Sequence, residues 1–124
     1  MLISGDAHLL ERAINNLLDN AVRHTPNGGE IVVQSYQEGD KVKFTVRDTG
    51  PGFSSEDLER VFEPLYRGES SRSRSTGGSG LGLTISRRIV RRHGGELTAS
   101  NHPDGAALLA GWIPAAVPDL NEEN

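Results

Sequence analysis

Asn16-Leu17-Leu18-Asp19-Asn20-Ala21-Val22-Arg23-His24-Thr25 carries two helical patterns at once. Leu10, Ile14, Leu17 and Ala21 recur at helical spacing, and Leu9, Ala13 and Leu18 widen the apolar stripe. The segment opening at a capping Asp6 is therefore predicted to be an amphipathic helix with one face in a core. Asn16 and Asn20, four residues apart, stand one turn above each other, and Arg23 continues that polar stripe. Such a stripe is also what the wet side of any amphipathic helix looks like. The helix should close near His24, because Pro26 disfavours helix at Thr25 and Asn27-Gly28-Gly29 is turn chemistry.

Downstream, Glu30–Tyr36 and Lys41–Arg47 read as two strands joined by a Gln37-Glu38-Gly39-Asp40 turn. In the second, Val42, Phe44 and Val46 share one face, while Lys41, Lys43, Thr45 and Arg47 take the other. After a turn over Asp48–Phe53, Ser55 is the expected cap of a short helix reaching about Phe62. Residues 67–79 hold almost nothing apolar and cannot offset their ordering entropy by burial, so a mobile loop is expected there. A helix from about Leu81 to His93 follows, stopped at Gly94-Gly95. Glu96–Asn101 and Ala107–Ile113 make a second hairpin around His102-Pro103-Asp104-Gly105, and the chain from Pro114 reads as a frayed tail. This order predicts an α+β sandwich with the helices on one sheet face.

A chain of 124 residues supports one core. Its net charge of −4 includes Asp119, Glu122 and Glu123 beyond the last strand-like run, which points to neither nucleic acid nor an anionic membrane as partner. The absence of cysteine excludes disulfides, thiol catalysis and Cys-ligated zinc. No apolar run approaches the ~18 residues of a membrane helix, and no signal peptide follows Met1.

Two glycine-rich segments join the Asn-bearing helix as candidate chemistry. Asp48-Thr49-Gly50-Pro51-Gly52-Phe53 follows a strand directly; its glycines let the backbone turn and a flat ligand approach, and the Asp48 carboxylate, acceptor-only, suits an adenine amino group. Gly78-Ser79-Gly80-Leu81-Gly82-Leu83 sits at the mouth of a helix, where exposed N–H groups and the helix dipole make an anion site. Alone, the first is also an ordinary turn and the second a hinge. Neither the dinucleotide-fold fingerprint nor a P-loop Gly-Lys-Ser/Thr is present.

In this order and at these separations the segments resemble the boxes of sensor histidine kinases. Asn16–Thr25 is similar to the N box, Asp48–Phe53 to the G1 box, Val61–Arg67 to the F box and Gly78–Leu83 to the G2 box. His93-Gly94-Gly95-Glu96 and a last strand closing in Ile113-Pro114 match the family's ending, so the resemblance covers about residues 2–114. It implies the Bergerat ATP-binding fold: a two-layer sandwich of a mixed, mainly antiparallel sheet with about three helices on one face, spanning 1–114. Residues 67–79 would be the ATP lid and 115–124 a disordered tail. The resemblance also implies ATP and Mg²⁺ as ligands. Asn20 would ligate the metal, with Asn16 supporting ion and phosphates and Arg23 contacting phosphate. Asp48 would hold the adenine amino group, with Gly50 and Gly52 close to the base. Gly78, Gly80, Leu81 and Gly82 would line the phosphates, Phe62 would anchor the lid, and Arg67 would meet the γ-phosphate on closure, with Arg72 or Arg74 as further candidates. The sequence departs from the family pattern at Gly111, where a large apolar residue is usual and Trp112 is expected to cover part of the gap, and at His24, where an aromatic is commoner.

Position 16 bears on the reaction. In the Hsp90, gyrase B and MutL relatives a glutamate there serves as general base for water, whereas Asn16 is a neutral amide. Asp19 points ~100° around the helix from Asn20 and is a poor substitute. A neutral imidazole already offers a lone pair, so the expected reaction is γ-phosphoryl transfer to an external histidine with little hydrolysis. His8, His24, His93 and His102 lack the family's acceptor setting; His93 reads as a helix-end packing residue. The expected partners are a histidine-bearing dimerisation domain of the same protein and a downstream response regulator. The expected place is the cytoplasmic side of an inner-membrane sensor, and the isolated chain should be monomeric. Arg87, Arg88, Arg91 and Arg92 charge one side of the third helix, as a solvated face or a docking patch. A nucleotide-sensing module and a clamp-type ATPase are the competing readings.

Overall fold

The computed structural model describes residues 5–64 and 82–116. The first helix, α1 (Ala7–His24), is capped by Asp6, whose Oδ1 accepts from the N–H groups of His8 (3.0 Å) and Leu9 (3.1 Å). It ends as Thr25 turns extended (φ −94°, ψ 124°) ahead of Pro26. β1 (Ile31–Glu38) and β2 (Lys41–Asp48) form one hairpin, and β3 (Glu96–Asn101) and β4 (Ala107–Pro114) the other. Between them lie α2 (Ser55–Arg60) and α3 (Gly82–Arg92).

The four strands pair antiparallel throughout in the order β1-β2-β4-β3, so β2 and β4 join the hairpins at the centre. Along β4 every second residue from Ala107 to Ile113 is buried. Leu97, Leu109, Ile113 and Val46 from that sheet face cluster with Leu17 and Ala21 of α1 and Leu83 and Val90 of α3. Each fully buried Leu here contributes roughly 1.5–3 kcal/mol. The helices are locked to each other by Ser86, fully buried, whose Oγ donates to the Ala13 carbonyl (2.8 Å). α3 closes in a Schellman turn: Gly95 N–H donates to Val90 O (3.0 Å) and Gly94 N–H to Arg91 O (2.9 Å).

Several expected boundaries shift, each for a local reason. β1 starts at Ile31 because the Glu30 N–H is taken by Thr49 Oγ1 (2.9 Å). The ladder continues to the Glu38–Lys41 pair, so the turn shrinks to Gly39-Asp40. The cap of α2 is Ser54, not Ser55: Ser54 Oγ accepts from Asp57 N (3.1 Å) and Ser54 is extended (φ −70°, ψ 165°). That helix stops at Arg60, with Glu63 N–H bonded to Arg60 O in a tighter turn. The gap at Gly111 is filled by Phe44 rather than Trp112. Phe44 stands opposite Gly111 in the register, and a Cβ on Gly111 would lie 2.7 Å from Phe44 Cε2 and 3.0 Å from Cε1. Trp112, one residue on, faces the other side of the sheet, where the Lys41 ammonium lies 4.3 Å from its ring centre. The expected lid at 67–79 and residues 117–124 lie outside the described residues. Ala115 is still tied to the sheet by its N–H to Asp40 O (2.7 Å). Among the described residues no helix is long and apolar enough to cross a membrane.

Candidate functional site

The carboxyl half of α1 presents Asn16 half-buried, Asn20 buried and Arg23 exposed, one below the other. Asn20 is only 8% exposed, yet among the described residues its side-chain amide has no hydrogen-bond partner. Its backbone carbonyl accepts from His24 Nδ1 (2.8 Å), which pins the imidazole back along the helix. Buried amides are almost always bonded, so an unused one calls for a ligand or water.

Asp48 ends β2 at 4% exposure. Its Oδ1 accepts from the Gly50 N–H (2.7 Å), while Oδ2 has no donor among the described residues. The same turn brings Gly50 so close to the end of α1 that a Cβ there would run into the His24 carbonyl and lie 3.0 Å from Asp48 Oδ1. Gly52 (φ 83°) packs on the β3–β4 turn with no room for a side chain. At the other end, a Cβ placed on Gly82 would lie 3.8 Å from Asn16 Cβ and 3.9 Å from its Cγ. The mouth of α3 thus rests on Asn16 and the Asp48–Phe53 loop on His24. Asn20 lies midway along the eight residue steps from Asn16 to His24, about 12 Å of axis.

Phe62 is half-buried against the core, with the Arg87 guanidinium 4.6 Å from its ring centre and its carbonyl accepting from Thr84 Oγ1 (2.7 Å). That fastens the segment before the expected lid to α3. Arg67, Gly78, Gly80 and Leu81 lie outside the described residues.

His93 is structural. Its Nδ1–H donates to Ile89 O (2.8 Å), leaving Nε2 to accept from Asp6 N–H (3.0 Å). His102 pairs with Arg47 (3.1 Å) and Asp104 (3.1 Å) beside its turn. The arginine run divides. Arg87 (3.1 Å) and Arg91 (3.0 Å) both grip Glu96 across the edge strand. The Arg91 hydrogen bond, with Arg87 adding to it, holds the Glu96 carboxyl down at about 2 against the opposing effect of partial burial. Arg88 and Arg92 instead join Arg12 around a groove floored by Leu9, Ile85 and Ile89 between α1 and α3. One residue that no local pattern marks is Asn101, whose side chain bonds both backbone groups of Phe53, 48 positions earlier.

The family described as histidine kinase-, DNA gyrase B-, and HSP90-like ATPase matches residues 5–116. The sensor protein SphS of Synechococcus elongatus is 44% identical over 119 residues, covering 90% of this chain and 29% of SphS. The signal transduction histidine-protein kinase BaeS of Escherichia coli is 39% identical over 112 residues, covering 90% of this chain and 24% of BaeS. The chain therefore spans less than a third of either relative. Among solved structures, the mycobacterial sensor histidine kinase MprB superposes with a TM-score of 0.82 at 33% identity, over 94% of this chain and 78% of that one. Full-length ShkA in complex with AMPPNP gives 0.77 at 28% identity, over 94% of this chain and 23% of that one. ThkA in complex with the response regulator TrrA gives 0.74 at 26% identity, over 92% and 30%.

Proposed function

We propose, because the chain belongs to the histidine kinase-, DNA gyrase B-, and HSP90-like ATPase family, that it binds Mg-ATP between the end of α1 and the Asp48–Phe53 loop and delivers the γ-phosphoryl group to a histidine on another domain. The observation that carries the reading is a pair of buried polar groups whose atoms have no partner among the described residues: the Asn20 amide and Asp48 Oδ2. Each costs about 1–3 kcal/mol while unpaired, and a ligand carrying an amino group at one end and phosphates at the other removes both penalties.

In this reading Asp48 accepts the adenine amino group and disfavours a base with a keto oxygen there. Gly50 and Gly52 keep side chains off the base. The buried Asn20 side-chain oxygen fits a hard cation that takes oxygen ligands and retains waters, and Mg²⁺ so held would neutralise phosphate charge. Asn16, next to Gly82, supports the phosphates from the helix side, together with Gly78, Gly80 and Leu81. Arg23 and Arg67 supply positive charge, Phe62 anchors the lid at 67–79, and residues 1–114 form the catalytic unit. Asn16 cannot take a proton, so water is not activated. The acceptor imidazole attacks Pγ with its own lone pair, the bond to the bridging oxygen breaks and ADP leaves.

The acceptor is assigned to a histidine-bearing dimerisation domain of the same protein and the onward recipient to a response regulator. The kind of protein is an inner-membrane sensor with this domain in the cytoplasm. ShkA with AMPPNP and ThkA with TrrA support the nucleotide and the regulator by similarity. The test is incubation with γ-labelled ATP and the parent protein's dimerisation domain. Acid-labile, base-stable label on the acceptor is expected. Bound ATP without transfer would make the chain a nucleotide-sensing module, and release of several phosphates per second by the chain alone would make it a clamp-type ATPase.

A further inference from the structure

The Asp48–Phe53 loop is held at both ends by different chemistry. At its start, Asp48 Oδ1 takes the Gly50 N–H and Thr49 Oγ1 takes the Glu30 N–H, contacts made within the first hairpin and its approach. At its end the hold comes from the far edge of the sheet. Asn101, the last residue of β3, accepts from Phe53 N–H through Oδ1 (2.7 Å) and donates from Nδ2 to Phe53 O (2.8 Å). A planar amide bonding both backbone groups of one residue fixes direction as well as distance, as a neighbouring strand would. The contact is backed by shape. A Cβ on Gly52 would lie 2.9 Å from Asn101 Oδ1 and would collide with the Gly105 carbonyl. The turn that carries that carbonyl is itself braced: His102 N–H bonds to Ala106 O and Gly105 N–H to His102 O, both at 2.7 Å, and Arg47 reaches His102.

We propose that Asn101 is a positioning residue for the base-binding end of the nucleotide site. It sets the backbone path through Gly50, Pro51 and Gly52, and so the plane against which a purine lies beside Asp48. The inference rests on the nucleotide reading given above. It adds a specific consequence: the base end of the site depends on the Asn101 side chain at the end of β3, while the phosphate end, built on Asn16, Asn20 and the mouth of α3, does not.

Two substitutions separate this role from mere space-filling. Asn101→Ala removes both bonds. Asn101→Asp keeps the size and the acceptor for Phe53 N–H but replaces the donor facing Phe53 O by a second oxygen, so at pH 7 it should also fail as a clamp. Binding is measured by calorimetry for Mg-ATP and for Mg-tripolyphosphate, which lacks the base. Phe53 amide exchange and thermal melting are followed in the same proteins. Both variants should weaken Mg-ATP roughly five- to tenfold, about the worth of one hydrogen bond. Tripolyphosphate affinity should stay within about twofold, and Phe53 exchange should rise while α1 amides keep their protection. Equal losses for ATP and tripolyphosphate, or an Asn101→Asp protein that binds ATP like the parent, would overturn the proposal. A parent that binds ATP alongside variants that do too sinks this inference alone. A parent that does not bind ATP sinks the nucleotide reading and this inference with it.

Discussion

Replacing Asp48 by Asn changes one group in the site and leaves its geometry in place. Oδ1 can still accept from the Gly50 N–H at 2.7 Å, so the loop keeps its anchor. The change falls on Oδ2, which has no donor among the described residues at a position 4% exposed. In the parent, that oxygen would receive the adenine amino group in a charge-assisted bond worth about 1.5–3 kcal/mol. In Asp48→Asn an N–H donor meets an N–H donor, adding a desolvation cost of about 1–3 kcal/mol. A combined loss of about 2.5–6 kcal/mol raises the Kd for ATP roughly 10²- to 10⁴-fold. Inosine triphosphate, with a keto oxygen at the same place, is repelled by the carboxylate but welcomed by the new amide. The variant should therefore lose or invert the preference for ATP over ITP. Displacement of a fluorescent nucleotide at fixed Mg²⁺, with melting curves to verify folding, reads both affinities. A folded variant whose ATP:ITP ratio stays within about twofold of the parent's would refute the placement of Asp48 against the base.

Acid stability should depend on Glu96. Its carboxyl is held at about 2, below the usual 4.5, so its contribution is full above about 4.5 and fades as pH falls towards 2. With the side chain 34% exposed, solvent screening trims that contribution to about 1–2 kcal/mol. Urea titrations should show Glu96→Gln flattening the acid limb over that window, and identical slopes would remove Glu96 from the explanation. Ser86→Ala should cost about 1–2 kcal/mol because it deletes the buried hydroxyl between α1 and α3. A melting midpoint unchanged to within a degree would mean that the Ala13 bond contributes nothing.

The sequence made some of this legible and hid the rest for identifiable reasons. The α1 stripe was readable because periodicity and a capping Asp6 are local, and Asn20 and Asp48 stood out because their residue types and neighbours are. Phe44 over Gly111 could not be foreseen without the register that sets them opposite each other, and Trp112 was the wrong filler because strand neighbours face apart. The arginine run looked uniform in sequence, yet Glu96 captures two of its members and leaves the others at the α1–α3 groove. Ser55 is the expected cap of α2, but the role passes to Ser54, whose extended backbone lets its Oγ accept from Asp57 N–H. Asn101 carried no signal because its partner is 48 residues away.

The most direct measurement is a ¹⁵N NMR titration of the chain with ATP, with and without Mg²⁺, following the Asn20 side-chain amide and the Gly50 backbone amide. With Mg²⁺, both resonances should move along one binding isotherm. Without it, Gly50 should still respond to the base, and the Asn20 response should largely vanish. Resonances that stay still at saturating nucleotide, or that follow two separate isotherms, would mean that the two buried groups do not serve a single bound molecule.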